Sequence, residues 1–355
     1  MYLNHDVWVV VLSFLPRRDR LVCRCVNAHI SDIVVAGGST IFLNSRATRK
    51  KVSALPSAVT AVRVANGSSL TMRILQQVAP TVKSVYVYVV QSLAWKNVST
   101  ALATSTISTV RLVLRDQELQ YMPRWPFLQS FTVDLLGSAM FPGQIITQSL
   151  DIPRIRHLCV LVHNAPCAQN LVRQSFWCGN CLSVIELHFE GVVLPEATCF
   201  DISRVLESAH CLQDITLDLG FTELTCAATR RVSRAIASLP SLKRVALNLS
   251  GNPLLGRGDH GLHLLLQGRI SRVAIVLWLS RVTTATIGGL LVKLPTRIAS
   301  VVHLDLQGNE LAMGDLVWLV SKLPVSRLHL RLPNILPSQH LDLQRASSAH
   351  VLCLS

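Results

Sequence analysis

Ser241-Leu-Lys-Arg-Val-Ala-Leu-Asn-Leu-Ser-Gly-Asn252 and Ala299-Ser-Val-Val-His-Leu-Asp-Leu-Gln-Gly-Asn309 are two versions of one phrase, an alternating apolar run closed by Gly-Asn. Alternation with a period of two describes a strand with one buried and one open face. The closing asparagine can cap the turn by bonding to backbone groups of adjacent coils. The same phrase recurs along the chain. Its first inward residue falls at Val62, Val85, Val110, Phe131, Leu158, Ile185, Ile215, Val245, Val273, Val302 and Leu328, with a ragged last copy near Val351. Successive spacings among the first eleven are 23, 25, 21, 27, 27, 30, 30, 28, 29 and 26 residues.

Intervals of about 20–29 residues belong to leucine-rich repeats, whose coils bury their apolar faces only against neighbouring coils. Helix-like stretches separate the strands at Phe200–Ala209, Thr229–Ser238, Thr283–Leu294 and Gly314–Leu323. Three end in Leu-Pro (Leu239-Pro240, Leu294-Pro295, Leu323-Pro324), where proline halts the helix, and Leu55-Pro56 repeats the device before the first strand. The expected fold is α/β: a leucine-rich-repeat solenoid of about eleven or twelve repeats over residues 58–355. Its curved parallel sheet forms the concave face, with helices or turns on the convex face. The 27–30-residue repeats resemble the ribonuclease-inhibitor subclass; the earlier, shorter ones depart from it.

With the inward residues assigned, the outward ones follow: Arg63, Tyr86, Tyr88, Arg111, Val113, Arg115, Thr132 and Asp134 early; Cys159, Leu161, Glu186, His188, Thr216 and Asp218 in the middle; Ala246, Asn248, Ala274, Val276, His303, Asp305, His329 and Arg331 late. Candidate partner contacts are the polar and aromatic members, including the early Arg/Tyr cluster and an acidic middle formed by Asp134, Glu186, Glu190 and Asp218. Tyr beside Arg can stack and pair with a ligand. Ordinary solvated strand positions account for the same residues.

The formal net charge is +14 with a pI near 9.8, which raises the expectation of an anionic partner such as RNA, although the cations are dispersed along the chain. No run of eighteen apolar residues occurs, so no transmembrane helix is expected. No signal-peptide layout is seen at the N-terminus, and ten cysteines then read as free thiols of a reducing compartment. The expected location is intracellular, in cytoplasm or nucleus; Asp6, Asp19 and Asp32 argue against a mitochondrial presequence while leaving that destination open.

No catalytic constellation is visible, and no cofactor or metal is expected. Phe176-Trp-Cys-Gly-Asn-Cys181 has the spacing of a redox Cys-x-x-Cys motif, but its cysteines precede a strand instead of opening a helix. Cys181 aligns with Cys211 and Ser241, a position read as small and buried. A zinc site would need two further ligands; Cys199 and Cys211 are the plausible candidates, and no second Cys-x-x-Cys exists. His303, Asp305 and His329 on neighbouring strands imitate an acid–base group, as adjacent repeats often do.

Residues 1–45 do not fit the repeat. Asp6-Val-Trp-Val-Val-Val-Leu-Ser-Phe-Leu-Pro-Arg-Arg-Asp-Arg-Leu-Val-Cys-Arg-Cys-Val26 reads as a short apolar helix, a Leu15-Pro16 break and a second helix opened by Asp19. The segment resembles an F-box, the helical module by which substrate receptors dock onto the Skp adaptor of cullin–RING ubiquitin ligases. The likeness spans about residues 4–35 and departs at Asn4-His5, where the family usually has Leu-Pro. It implies an adaptor contact through Val7, Trp8, Val11, Leu12, Leu15, Pro16, Asp19 and Val26, with a cullin beyond the adaptor and a protein substrate on the concave face. Residues 46–57, with Arg46, Arg49, Lys50 and Lys51, form a basic joint between the two parts. The competing reading is a plain helical cap on a non-catalytic repeat scaffold, for instance in a ribonucleoprotein particle, with a repeat-type enzyme inhibitor as a third.

Overall fold

The computed structural model describes residues 40–43, 61–64, 82–89, 106–115, 127–136, 155–166, 182–257, 259–266, 274–280, 301–309, 311–323, 327–332, 336–347 and 351–354, with isolated positions between them. The F-box-like segment and the basic joint lie outside these residues, as do Cys178, Cys181, the stretch Thr283–Leu294 and Val273.

Among the described residues thirteen strands form one sheet: β1 Thr40–Leu43, β2 Ala61–Val64, β3 Ser84–Val89, β4 Thr109–Arg115, β5 Ser130–Leu136, β6 His157–Val162, β7 Val184–His188, β8 Asp214–Asp218, β9 Arg244–Asn248, β10 Ala274–Trp278, β11 Val301–Asp305, β12 Arg327–Arg331 and β13 Val351–Leu354. Their spatial order is their chain order, and each neighbouring pair is parallel. Such an α/β sheet, in which each strand meets only the coils before and after it, is compatible with a solenoid. β1 falls within residues 1–45, so the sheet begins at least one coil before the expected start at residue 58.

Register bears out the inward row from Val62 to Leu328 with one correction. Val245 pairs with Ile275, and Ile275 with Val302, so Ile275 fills the place assigned to Val273. The two are equivalent in parity, and a local Val-Ala-Ile-Val-Leu run cannot distinguish them. The last copy likewise centres on Leu352, the partner of Leu328. Val62, Val110, Phe131, Ile215, Ile275 and Leu328 are all buried.

Helices α1 Glu196–Ser208, α2 Cys226–Ser238, α3 His263–Leu266, α4 Met313–Lys322 and α5 Pro337–Ala346 cover the other side of the buried rows. The α1 and α2 helices fill the 30-residue coils. On α2, Thr225 caps the N-terminus by accepting from Ala228 N at 3.2 Å, and the helix stops at Ser238 before Leu239-Pro240. Cys211 and Ser241 are exposed, which corrects the reading of that position as buried: it sits in the turn before the strand, and smallness serves the turn.

The Gly-Asn pairs close the coils as expected. Gly251 and Gly308 have φ of +68° and +71°, and a Cβ on Gly251 would meet the Phe221 ring at 2.3 Å. Buried Asn252 donates through Nδ2 to the carbonyls of Leu219 (2.8 Å) and Leu249 (2.9 Å). Its Oδ1 accepts from the amides of Thr222 (3.1 Å) and Leu224 (3.0 Å). Asn309 repeats the scheme one coil on, bonding Leu279, Leu306 and Val282. Asn252→Ala would leave these backbone groups buried and unpaired, at about 1–3 kcal/mol for each group not rescued by water. Urea unfolding should therefore show Asn252→Ala to be destabilised by roughly 2–4 kcal/mol, against less than about 0.5 for a change at an exposed position such as Glu207→Ala.

Candidate functional site

Alternation buries one side of each strand and leaves the other on an open face. On that face the register lines residues from successive coils into rows. One row runs Arg63, Tyr86, Arg111, Thr132, Cys159, Glu186, Thr216, Ala246, Val276, His303, His329. The next runs Tyr88, Val113, Asp134, Leu161, His188, Asp218, Asn248, Trp278, Asp305, Arg331. The side chains of Arg63, Tyr88 and Arg115 lie outside the described residues. The other outward positions expected from the sequence occupy these rows except Ala274, which pairs with Arg244 and Val301 at the start of the strands. Trp278 joins them because the correction at Ile275 moves the open positions of β10 along by one pair.

These candidates fall into three patches. On β3 and β4 the Arg111 guanidinium lies 5.3 Å from the Tyr86 ring centroid, a cation–π contact. The middle patch spans β5 to β9. His188 Nε2 lies 3.8 Å from Glu186 Oε2, and His188 Nδ1 lies 3.7 Å from Asp218 Oδ2. His157 Nε2 sits 3.2 Å from Glu186 Oε1, and its Nδ1 lies 3.1 Å from Ser130 Oγ. Asp134 Oδ1 meets His163 Nε2 at 2.9 Å. Cys159, on the strand beside Glu186 and paired with it, brings its Sγ within 4.8 Å of ligand atoms of both Glu186 and His188. His157 and His163 were missed from sequence because they stand just before and just after β6's outward positions.

The third patch, on β10 to β12, is a shallow depression of about 240 Å³ lined by Trp278, His303, Asp305, His329 and Arg331 among others. His303 and His329 stack at 4.1 Å with an 11° interplanar angle. Asp305 lines the same depression, pairs with Arg331 at 3.3 Å and accepts from Gln307 N at 3.0 Å. Seven strand spacings separate β4 from β11, roughly 30–35 Å, so one small ligand cannot span all three patches.

Some open-face residues are also structural. Asp218 Oδ1 accepts from Gly220 N (3.2 Å) and Asn248 Nδ2 (2.7 Å), and Asn248 Oδ1 accepts from Ser250 N (3.0 Å). These bonds shape the turns that leave the strands.

The two histidine environments are opposite. Hydrogen bonding to Asp218, then to Cys159 and Glu186, pushes His188 up to about 11 against the pull of burial. The hydrogen bonds from His157 and then His188 hold the Glu186 carboxyl well below the ordinary carboxylate range. His303 is lowered, chiefly by burial, then by His329, Arg244 and Arg327. Cys199, one of the cysteines considered for zinc, is buried on α1, and burial pushes its thiol up to about 12. It is inert at neutral pH.

On the helix side, α1 and α2 border a groove of about 620 Å³ lined by Arg204, Arg230, Arg231, Arg234, Phe200 and Asp259 among others. Arg231 lies 4.6 Å from the Phe200 ring centroid, and Arg230 pairs with Asp259 at 3.8 Å.

No protein-family model matches the sequence, and comparison with curated proteins finds none similar to it.

The pKa directions fix a titration order. His188's raised value gives stability that is complete below the ordinary 6.5 and is lost as pH climbs toward about 11. Glu186's lowered value gives stability that is complete above 4.5 and is lost as pH falls below it. In chelator-treated protein, NMR titration of the imidazoles should find His188 still protonated at mildly alkaline pH, while His303 loses its proton below the ordinary histidine value. Asp218→Asn should bring the His188 midpoint down.

Proposed function

We propose that this chain is a leucine-rich-repeat receptor without chemistry of its own. Its concave, open face grips a protein partner, and its F-box-like N-terminus couples that partner to a cullin–RING ubiquitin ligase. The observation that carries the binding role is the unbroken open face. Rows of Tyr, Arg, Glu, His, Asp and Trp side chains, contributed one per coil, present a long polar and aromatic surface. Such surfaces recognise extended or folded proteins by distributed contacts, with aromatic and arginine anchors dominating the energy. The ligase role rests on the F-box resemblance and on the order of the two parts, helical module first and repeats second. The mechanism is proximity: Val7, Trp8, Val11, Leu12, Leu15, Pro16, Asp19 and Val26 hold the Skp-type adaptor, and the repeats hold the substrate near the transferring enzyme.

A second reading has its own support. The arginine-lined groove beside α2 suits a phosphate backbone, as a scaffold in a ribonucleoprotein particle would require. In that version the N-terminal helices only cap the solenoid.

Co-purification of tagged full-length chain, read by mass spectrometry, separates the two. Under the receptor reading, adaptor and cullin accompany the wild type and disappear with the Leu15→Asp, Pro16→Ala double variant. Tyr86→Ala with Arg111→Glu keeps the adaptor but weakens the substrate about tenfold to a hundredfold. Ribosomal or RNA-processing proteins in place of the adaptor, with RNA affinity falling steeply as salt rises, would favour the scaffold.

A further inference from the structure

We propose that Cys159, Glu186 and His188 form a zinc site at the centre of the open face, with three protein ligands and a fourth position turned toward solvent. Glu186 and His188 stand two residues apart on β7 and share its open side, while Cys159 is the direct neighbour of Glu186 on β6. The three donor atoms, Sγ, a carboxylate oxygen and an imidazole nitrogen, lie within 4.8 Å of one another, with Glu186 Oε2 and His188 Nε2 at 3.8 Å. Tetrahedral zinc with bonds of about 2.0–2.3 Å holds its ligand atoms about 3.3–3.8 Å apart. Closing the trio by at most about 1.5 Å satisfies that geometry, which side-chain rotations supply. A thiolate, an imidazole and a carboxylate together suit a borderline cation such as zinc better than calcium or magnesium, which take oxygen ligands.

A second, independent set of contacts is arranged around the ligands as a metal site requires. Coordination by His188 Nε2 leaves Nδ1 facing Asp218 Oδ2 at 3.7 Å, the carboxylate–histidine–metal arrangement that orients the ring. Asp218 is itself fixed through its other oxygen by Gly220 N and Asn248 Nδ2. Coordination by Glu186 Oε2 leaves Oε1 against His157 Nε2 at 3.2 Å, and His157 is held in turn by Ser130. Neighbouring strands thus orient both non-sulfur ligands. A buried cysteine usually serves as a small apolar filler. Cys159 is buried, yet it lies outside the contiguous apolar cluster, with Thr132 and Glu186 as its row neighbours and donor atoms of Glu186 and His188 within 4.8 Å, so apolar filling alone does not account for it. Zinc replaces the Cys159 thiol proton and the proton on His188 Nε2, and both pass to solvent. The fourth position takes water, or a donor from whatever protein occupies the open face.

The test uses purified full-length chain, stripped with chelator and titrated with Co2+ and then Zn2+. One equivalent of Co2+ should give thiolate-to-cobalt charge-transfer absorption with the d–d bands of four-coordinate cobalt, bleached by one equivalent of Zn2+. Cys159→Ser should abolish the charge-transfer band, and Cys211→Ser, which removes an exposed cysteine elsewhere, should leave it unchanged. Asp218→Asn should keep the band while weakening zinc about 10–100-fold. Absence of the band in the wild type overturns the proposal. So does a band that survives Cys159→Ser. If Cys159→Ser loses the wild-type circular dichroism, His188→Ala decides: a zinc affinity reduced roughly 100-fold or more upholds the site, and an unchanged affinity overturns it. Because the isolated chain is used, this result is separable from adaptor capture: either can fail while the other stands.

Discussion

Every interior strand of this protein depends on the coil before it and the coil after it for its backbone hydrogen bonds, and the parallel register between them organises the rest. A slip of one residue at any strand would turn its Leu and Val side chains outward and bury the polar row. The apolar rows resist that slip, because each full burial of an aliphatic side chain contributes about 1.5–3 kcal/mol. The Asn252 and Asn309 side chains lock the coil ends, tying the turn after one strand to the turn after the next. Core packing and turn capping therefore specify one register together, and neither alone would.

Register also assembles the open face. Residues 21 to 30 positions apart become neighbours at the spacing of adjacent strands, and chemistry is built across coils instead of within a linear motif. Cys159, Glu186, His188 and Asp218 come from three successive coils, yet they share one continuous set of contacts. The raised His188 and the lowered Glu186 are two consequences of that set: cation and carboxylate stabilise each other in a partly desolvated place. His303, one sheet third away, moves the opposite way, chiefly through burial and then through another imidazole and two arginines.

This explains what could be read from the sequence and what could not. Strand parity is a local property, so the inward and outward rows were legible from alternation alone, from Val62 to Leu328. Register is not local. At β10 seven consecutive apolar residues, Val273 to Leu279, offered two equivalent frames, and the choice between Val273 and Ile275 rests on pairing with β9 and β11. That choice carried Trp278 onto the open face. β1 was illegible for a related reason: Thr-Ile-Phe-Leu, four residues without a Gly-Asn closure, carries too little pattern to be told from a helical end. The ligand trio was invisible to a search for Cys-x-x-Cys pairs because its spacings, 27 and 29 residues, are those of the repeat itself. In a repeat protein the interval to search for convergent ligands is the repeat length.

The distribution of charge adds a constraint on how the two sides can be used. The chain carries fourteen more cations than anions, yet the middle of the open face holds Asp134, Glu186, Asp214 and Asp218. Arg244 pairs with Asp214 at 3.6 Å, and His188 lies between two carboxylates, so cations in this region answer acids already present. Arginines concentrate instead beside α2, where Arg204, Arg231 and Arg234 line the groove together with the paired Arg230. At physiological salt, fields beyond about 8 Å are screened, so each side of the sheet presents its own local potential to an approaching molecule. The helix-side groove offers local cations offset by Glu207 and Asp259, while the centre of the open face offers carboxylates. A partner for that centre has to bring positive charge, or donors able to satisfy carboxylates and complete a metal's coordination. The strand order that builds the core thus also separates two surfaces of different electrostatic character, which no average over the whole chain would reveal.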